Sequence, residues 1–233
     1  MRLSVRFSAS LVALAALALC FGTRAQAQST AAPTTGNGTY IAADPLANVR
    51  YDNRYDLSLG MAYDHMKAGA NVLQGANLGG LDLSASYWFA KHWGVEGSGR
   101  TYLGTSGAGQ SNHSSIDGPF VREFFFTAGP EWLGPHNKHG DLVAHLLLGG
   151  ANFDSHLGAG HTPQEANFYY NQTAPAAIIG GHMDLNRSAH WVFRITPDAV
   201  MTHYSTADVP KVSQYDVNFA ISVGIEYKFK RKR

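Results

Sequence analysis

From about residue 54 onward, apolar and polar residues alternate one by one in a series of segments. The last segment, Gln214–Phe229, is the clearest. Tyr215, Val217, Phe219, Ile221, Val223, Ile225, Tyr227 and Phe229 fall on one face, and Asp216, Asn218, Ala220, Ser222, Gly224, Glu226 and Lys228 on the other. A period of two puts successive side chains on opposite faces of a strand. The apolar face is too continuous for a half-exposed soluble sheet, and the other face is small and charged. That combination predicts a closed barrel with lipid outside and a polar interior.

Eight such segments are predicted, over residues 54–66, 78–89, 92–104, 119–133, 139–153, 174–185, 190–205 and 214–229. The connections after the odd strands are long, and those after the even strands are short. Ala90-Lys91, Gly134–Lys138 and Asn186–Ala189 form the short set, and they carry turn residues such as Gly134-Pro135 and Asn186. Long loops at one rim and short turns at the other mark outer-membrane barrels. The expected fold is therefore all-β: an eight-stranded antiparallel up-and-down transmembrane β-barrel. Two strands are less clean. Gly97 and Gly99 face lipid in the third, and Val143 and Leu147 face inward in the fifth. Tyr87, Trp88, Phe89, Trp93, Trp132, Trp191, Tyr227 and Phe229 gather at the short-turn ends, as in an aromatic girdle at headgroup depth.

The ends suggest export. Arg2 and Arg6 precede the apolar run Leu11–Phe21, and Ala25-Gln26-Ala27 is a small-x-small cleavage site, so residues 1–27 are expected to be a signal peptide. That run is shorter than the about 20 residues a membrane-spanning helix needs. Cys20 is the chain's single cysteine and leaves with the signal. Leu19 before it does not suit a lipoprotein site. The remaining chain has no thiol for a disulfide or a thiolate metal site. Residues 28–53 are expected to be a flexible periplasmic leader, 54–229 the barrel and 230–233 a basic periplasmic tail. A net charge of +1 gives no reason to expect a nucleic-acid partner.

The paired segment Leu81–Leu103 (LDLSASYWFAKHWGVEGSGRTYL), Pro130-Glu131-Trp132, Ala144-His145-Leu146 and the closing Gly224–Phe229 (GIEYKF) resemble the small outer-membrane β-barrel family that includes the OmpA transmembrane domain and OmpX. The likeness covers residues 54–229 and rests on pattern more than on a sharp motif. It implies location in the bacterial outer membrane, contact with its lipids and lipopolysaccharide, and folding by the barrel assembly machinery. It does not imply one activity. Envelope integrity, surface interaction through a ligand at the long loops, or both are expected, from a monomer.

The inward faces collect Asp56, Asp82, Glu96, Arg100, Glu131, His145, His182, Asp184, Arg194, Asp198 and Glu226. Eight strands enclose a lumen that side chains fill, so these groups are expected to pair and plug it. His145, His182 and Asp184 lack a tight metal-ligand spacing, and neither metal nor cofactor is expected. His113, His156 and His161 lie in loops, as do Phe168-Tyr169-Tyr170.

Two alternatives remain open. Thr202-His203-Tyr204-Ser205 resembles the His-x-Ser stretch of outer-membrane lipid A deacylases, also small barrels. His203 and Ser205 share a face, as a catalytic pair requires. Asp216 is the nearest acid on the final strand, but alternation sends it inward. The other alternative is a soluble lipocalin-like barrel, with the apolar face inside around a ligand.

Overall fold

A computed structural model describes residues 44–67, 75–106, 120–156, 169–205 and 213–229. Eight strands form one closed barrel: β1 (Tyr55–Met66), β2 (Ala76–Trp88), β3 (Trp93–Ser106), β4 (Phe120–Asn137), β5 (Gly140–His156), β6 (Gln172–Asn186), β7 (Trp191–Ser205) and β8 (Ser213–Lys228). Each strand pairs antiparallel with its neighbour in sequence, and β1 closes on β8 from Asp56↔Lys228 to His65↔Phe219. Both edges are thereby removed, which a spanning sheet requires. The antiparallel up-and-down architecture is the one its alternating pattern predicts.

The faces follow the period of two. Leu57, Leu59 and Met61 on β1, and Val217, Phe219 and Ile225 on β8, are exposed on the outside. Asp56, Ser58, Ala62 and Asp64, and Asn218, Ala220, Ser222 and Glu226, are buried inside. A lipocalin-like barrel needs the reverse, so that alternative fails on side-chain direction. The irregular strands also obey alternation. Gly97 is exposed, while Val143 and Leu147 are buried in the interior.

One rim carries the short connections and both ends of the barrel sequence, and is called the turn rim here. Large rings gather there on the outside. Tyr55 and Tyr87 lie 5.2 Å apart, and Tyr227 sits 5.0 Å from Trp191 and 4.9 Å from Phe229. Trp88 is not part of this girdle. Its position is on the inward parity of β2, and its indole N–H donates to Asp56 Oδ2 at 2.6 Å.

The turn between β4 and β5 is tighter than the sequence suggests. Gly134-Pro135 lies within β4, at a register shift between Leu133 and His136, and Lys138-His139 makes the turn. Proline has no N–H to give the ladder, and a bulge accommodates it. Pro197 in β7 interrupts the ladder without shifting its register. The pairing of β6 with β7 skips the stretch between Gly180↔Asp198 and Met183↔Ile195.

Candidate functional site

The lumen has two layers. Toward the long-loop rim it is aromatic. Phe153 lies 5.3 Å from Tyr204 and 5.8 Å from Tyr169, and Tyr102 meets Phe125 edge-on at 5.7 Å. Met66, Leu78, Val121 and Ile178 are buried in the same cluster. Two carboxyl groups are embedded here. Tyr204 donates to Glu123 Oε1 at 2.9 Å, while neither oxygen of Asp64 has a hydrogen-bond partner among the described residues.

Tyr169 turns into this layer, and its hydroxyl donates to Asp216. The rest of the third long loop, with Phe168 and His161, lies outside the described residues, as does His113. His156 is exposed at the end of β5.

Toward the turn rim the lumen is charged, and all of the inward ionisable positions read from the sequence are buried in it: Asp56, Asp82, Glu96, Arg100, Glu131, His145, His182, Asp184, Arg194, Asp198 and Glu226. Most of them join into two networks, and in the first Asp198 links Arg100 to His145. Arg100 contacts Asp198 at 2.6 Å and Asp82 at 3.4 Å, and Ser222 donates to Asp82. Arg194 donates from Nε and Nη2 to the two oxygens of Asp184, at 2.8 Å each, and also contacts Glu226. His145 bridges Glu96 at Nδ1 (2.8 Å) and Asp198 at Nε2 (2.9 Å). Ser86 donates to Glu131 Oε2 at 3.1 Å.

Glycines let these side chains meet across intervening strands. Gly129 on β4 stands opposite Glu96, and a methyl group there would collide with the Leu146 carbonyl of β5. Gly180 on β6 stands opposite both His145 on β5 and Asp198 on β7. A methyl group at Gly180 would collide with Asp198 Oδ1 and the Pro197 carbonyl.

Several members of the site were not singled out in the sequence. Lys228 contacts Asp141 at 3.3 Å, and its ammonium lies 4.8 Å from the centre of the Tyr51 ring. The Tyr51 hydroxyl is 2.8 Å from the Asn137 carbonyl and 3.1 Å from Asp141 Oδ1, and it accepts from Asn186. Burial, with the Asp141 carboxylate beside it, pushes this hydroxyl up to about 12. Asn53 donates to Asp56. The end of the leader thus covers part of the turn-rim mouth. Beneath it is a cavity of about 300 Å³ lined by Tyr51, Asp56, Asp184, Arg194, Glu226 and Lys228 among others. Lys228 and Asp141 are legible by parity at the strand ends. The Tyr51 cap has no periodic signal, because it precedes the first strand.

Asp216 does not assemble with the His-x-Ser pair. His203 is half-buried, and its ring lies 4.2 Å from that of Tyr215, its register partner on β8. Ser205 makes backbone contacts to Gln172. Asp216 is opposite Thr202, on the inward parity, where it takes the Tyr169 hydroxyl. Asp208 lies outside the described residues.

Which residues could hold a metal is a separate question. Donor atoms of Glu96, His145 and His182 lie within 4.8 Å of one another, all buried.

No protein-family model matches the chain, and no curated protein matches it in sequence. Solved structures do resemble it. The outer-membrane protein OprG from Pseudomonas aeruginosa has a TM-score of 0.56 at 16% identity, over 79% of this chain and 99% of that one. Neisserial surface protein A gives 0.55 at 11% identity, over 75% and 97%. Ail, the attachment invasion locus protein of Yersinia pestis, gives 0.46 at 21%, over 76% and 99%. At these identities the likeness concerns the fold, which is that of the small eight-stranded outer-membrane barrels.

Proposed function

We propose that the chain is a small outer-membrane protein of the OmpA and OmpX kind, a non-enzymatic monomer serving envelope integrity and surface interaction. Residues 1–27 are its cleaved signal, 28–53 a periplasmic leader, 54–229 the barrel and 230–233 a basic periplasmic tail. The assembly machinery folds it into a bilayer containing lipopolysaccharide, and its long loops face outward to meet a ligand. The turn rim faces the periplasm.

The observation that carries this reading is the direction of the side chains. Met61 is 67% exposed and Phe126 71% exposed, while Glu226 and Asp64 are fully buried. Water would penalise that exterior, and a hydrocarbon layer would not. The aromatic layer and the paired charges leave the lumen side-chain-filled, which favours a structural or surface role over a pore.

The test has two arms. The protein should fractionate with outer membranes, need detergent for solubility and run at a different gel position when unheated. Ile221→Arg on the outer face should cost about 2–4 kcal/mol in a bilayer. In planar bilayers the wild type should give no sustained large conductance. A detergent-independent soluble protein would overturn the location, and a stable open-channel current would overturn the filled lumen.

A further inference from the structure

Buried charges in a protein interior are paired or hold a metal. Around His145 the buried carboxylates are Asp82, Glu96, Glu131, Asp184, Asp198 and Glu226, and the permanently charged cations among them are Arg100 and Arg194. Carboxyl groups outnumber the guanidinium groups there. His182 lies in the midst of this group at 3% exposure, yet neither of its ring nitrogens has a hydrogen-bond partner among the described residues. Its ring centre is 6.1 Å from that of His145. An imidazole so enclosed loses its hydration without a hydrogen bond to replace it.

We propose that Glu96, His145 and His182 form a binding site for one divalent transition-metal ion, of which Zn²⁺ is the best fit. The donors come from β3, β5 and β6 and converge within 4.8 Å. Two imidazoles and a carboxylate are a donor set that suits zinc, copper or nickel and does not suit calcium or magnesium.

The surrounding groups match what such a ligand set needs. A metal-ligating imidazole normally donates its second N–H to a carboxylate, which fixes the ring. His145 Nε2 has Asp198 at 2.9 Å, so its Nδ1 is the nitrogen facing Glu96. His182 Nε2 lies 3.6 Å from Asp184 Oδ2, a carboxylate placed beside that ring. Glu131, opposite His145 in the β4–β5 register, has one oxygen without a hydrogen-bond partner but stands outside the group that converges within 4.8 Å. An ion at ~2.0–2.2 Å from each donor requires the 2.8 Å contact between His145 and Glu96 to lengthen. Metal bonds then replace that hydrogen bond, and His182 gains a partner.

The turn-rim cavity ends close to the site. Asp184 lines that cavity and is also the carboxylate beside His182. Pro197 leaves the β6–β7 ladder open next to His182, which eases a small shift of that ring.

The test uses the folded full-length barrel in detergent, stripped with a chelator and titrated with Zn²⁺ against a chromophoric competitor. Co²⁺ serves as the spectroscopic probe. The expected result is one ion per barrel, intense visible Co²⁺ bands from a low-coordinate site, and at least tenfold weaker binding in both His182→Gln and Glu96→Gln. His139→Gln at the exposed β4–β5 turn should change nothing. Heat-modifiable migration checks that each variant is folded. If the variants do not fold, X-ray absorption on the Zn²⁺-loaded wild type decides: two imidazoles at bonding distance uphold the site. Absence of stoichiometric binding, binding indifferent to both variants, or a zinc spectrum without imidazole scattering would overturn it.

Discussion

His145 Nε2 lies 2.9 Å from Asp198 Oδ1, although the whole of β6 separates their strands. The contact exists because Gly180, opposite both, has no side chain. Gly180→Ala would put a methyl group against Asp198 Oδ1 and the Pro197 carbonyl, and backbone cannot move aside as a flexible side chain can. The expected loss is about 1–3 kcal/mol, the usual range for overpacking. Urea unfolding in lipid vesicles checks it. An unchanged midpoint would mean that the close approach across β6 is not enforced.

Arg194 is the cation on which the lower lumen depends. It holds both oxygens of Asp184 and reaches Glu226, and all three are buried. Arg194→Met leaves two buried carboxylates without their ion-pair partner, and breaking a buried pair from one side costs about 3–5 kcal/mol. Adding Asp184→Asn and Glu226→Gln to that variant should return much of the loss, because the stranded charges go with the cation. The comparison of single and triple variants is a mutant cycle. A triple variant as unstable as the single one would show that Arg194 acts through packing.

The eight strands and their two faces were legible because one period of two decides both, and a slip of one residue would reverse every side chain. The inward ionisable residues followed from the same parity. Their partners did not. Glu96 meets His145 two strands away, and nothing in the spacing of residues 96, 145 and 182 announces a shared point. That juxtaposition depends on barrel stagger and on Gly129 and Gly180, whose role appears only once the strands are closed. Trp88 was misread for a related reason. Bunching of aromatics near a rim suggested a girdle, but parity aims this ring at Asp56. Gly134-Pro135 signalled a turn, and the register shift absorbed it within β4.

The leader cap should be alkali-sensitive. The folded hydroxyl of Tyr51 titrates near 12, above the ordinary 10, because burial and Asp141 oppose the phenolate. A raised folded value means the folded state holds this proton more tightly. The stabilising contribution is therefore complete below about pH 10 and is lost as pH rises through 12. A fluorophore on Asp52→Cys, with Cys20→Ser removing the chain's other thiol, should report loosening of the cap in that window. Tyr51→Phe should abolish the transition, because it has no proton to lose. It should also weaken the cap at neutral pH, because Asn137 and Asn186 lose their partner. Persistence of the same alkaline transition in Tyr51→Phe would assign it to another group.

The remaining chemical question is whether His203 and Ser205 deacylate lipid A. A catalytic base needs its geometry before its pKa. A third group must orient the imidazole so that one nitrogen faces the nucleophile. Asp216, the nearest acid on β8, cannot serve. It stands opposite Thr202 on the inward parity and takes the Tyr169 hydroxyl, while His203 packs its ring against Tyr215. Turning Asp216 outward would need a one-residue slip of β8, which would also carry Val217, Phe219 and Ile225 from the exterior into the lumen. His203→Ala is accordingly expected to leave the lipid A of expressing cells identical to that of cells carrying the wild type. Loss of its ring contact with Tyr215 should lower stability by about 0.5–1.5 kcal/mol. Mass spectrometry of lipid A from the two strains, with an empty-vector control, measures this directly. Loss of one acyl chain in the wild-type strain alone would make His203 catalytic and require its acid to come from elsewhere.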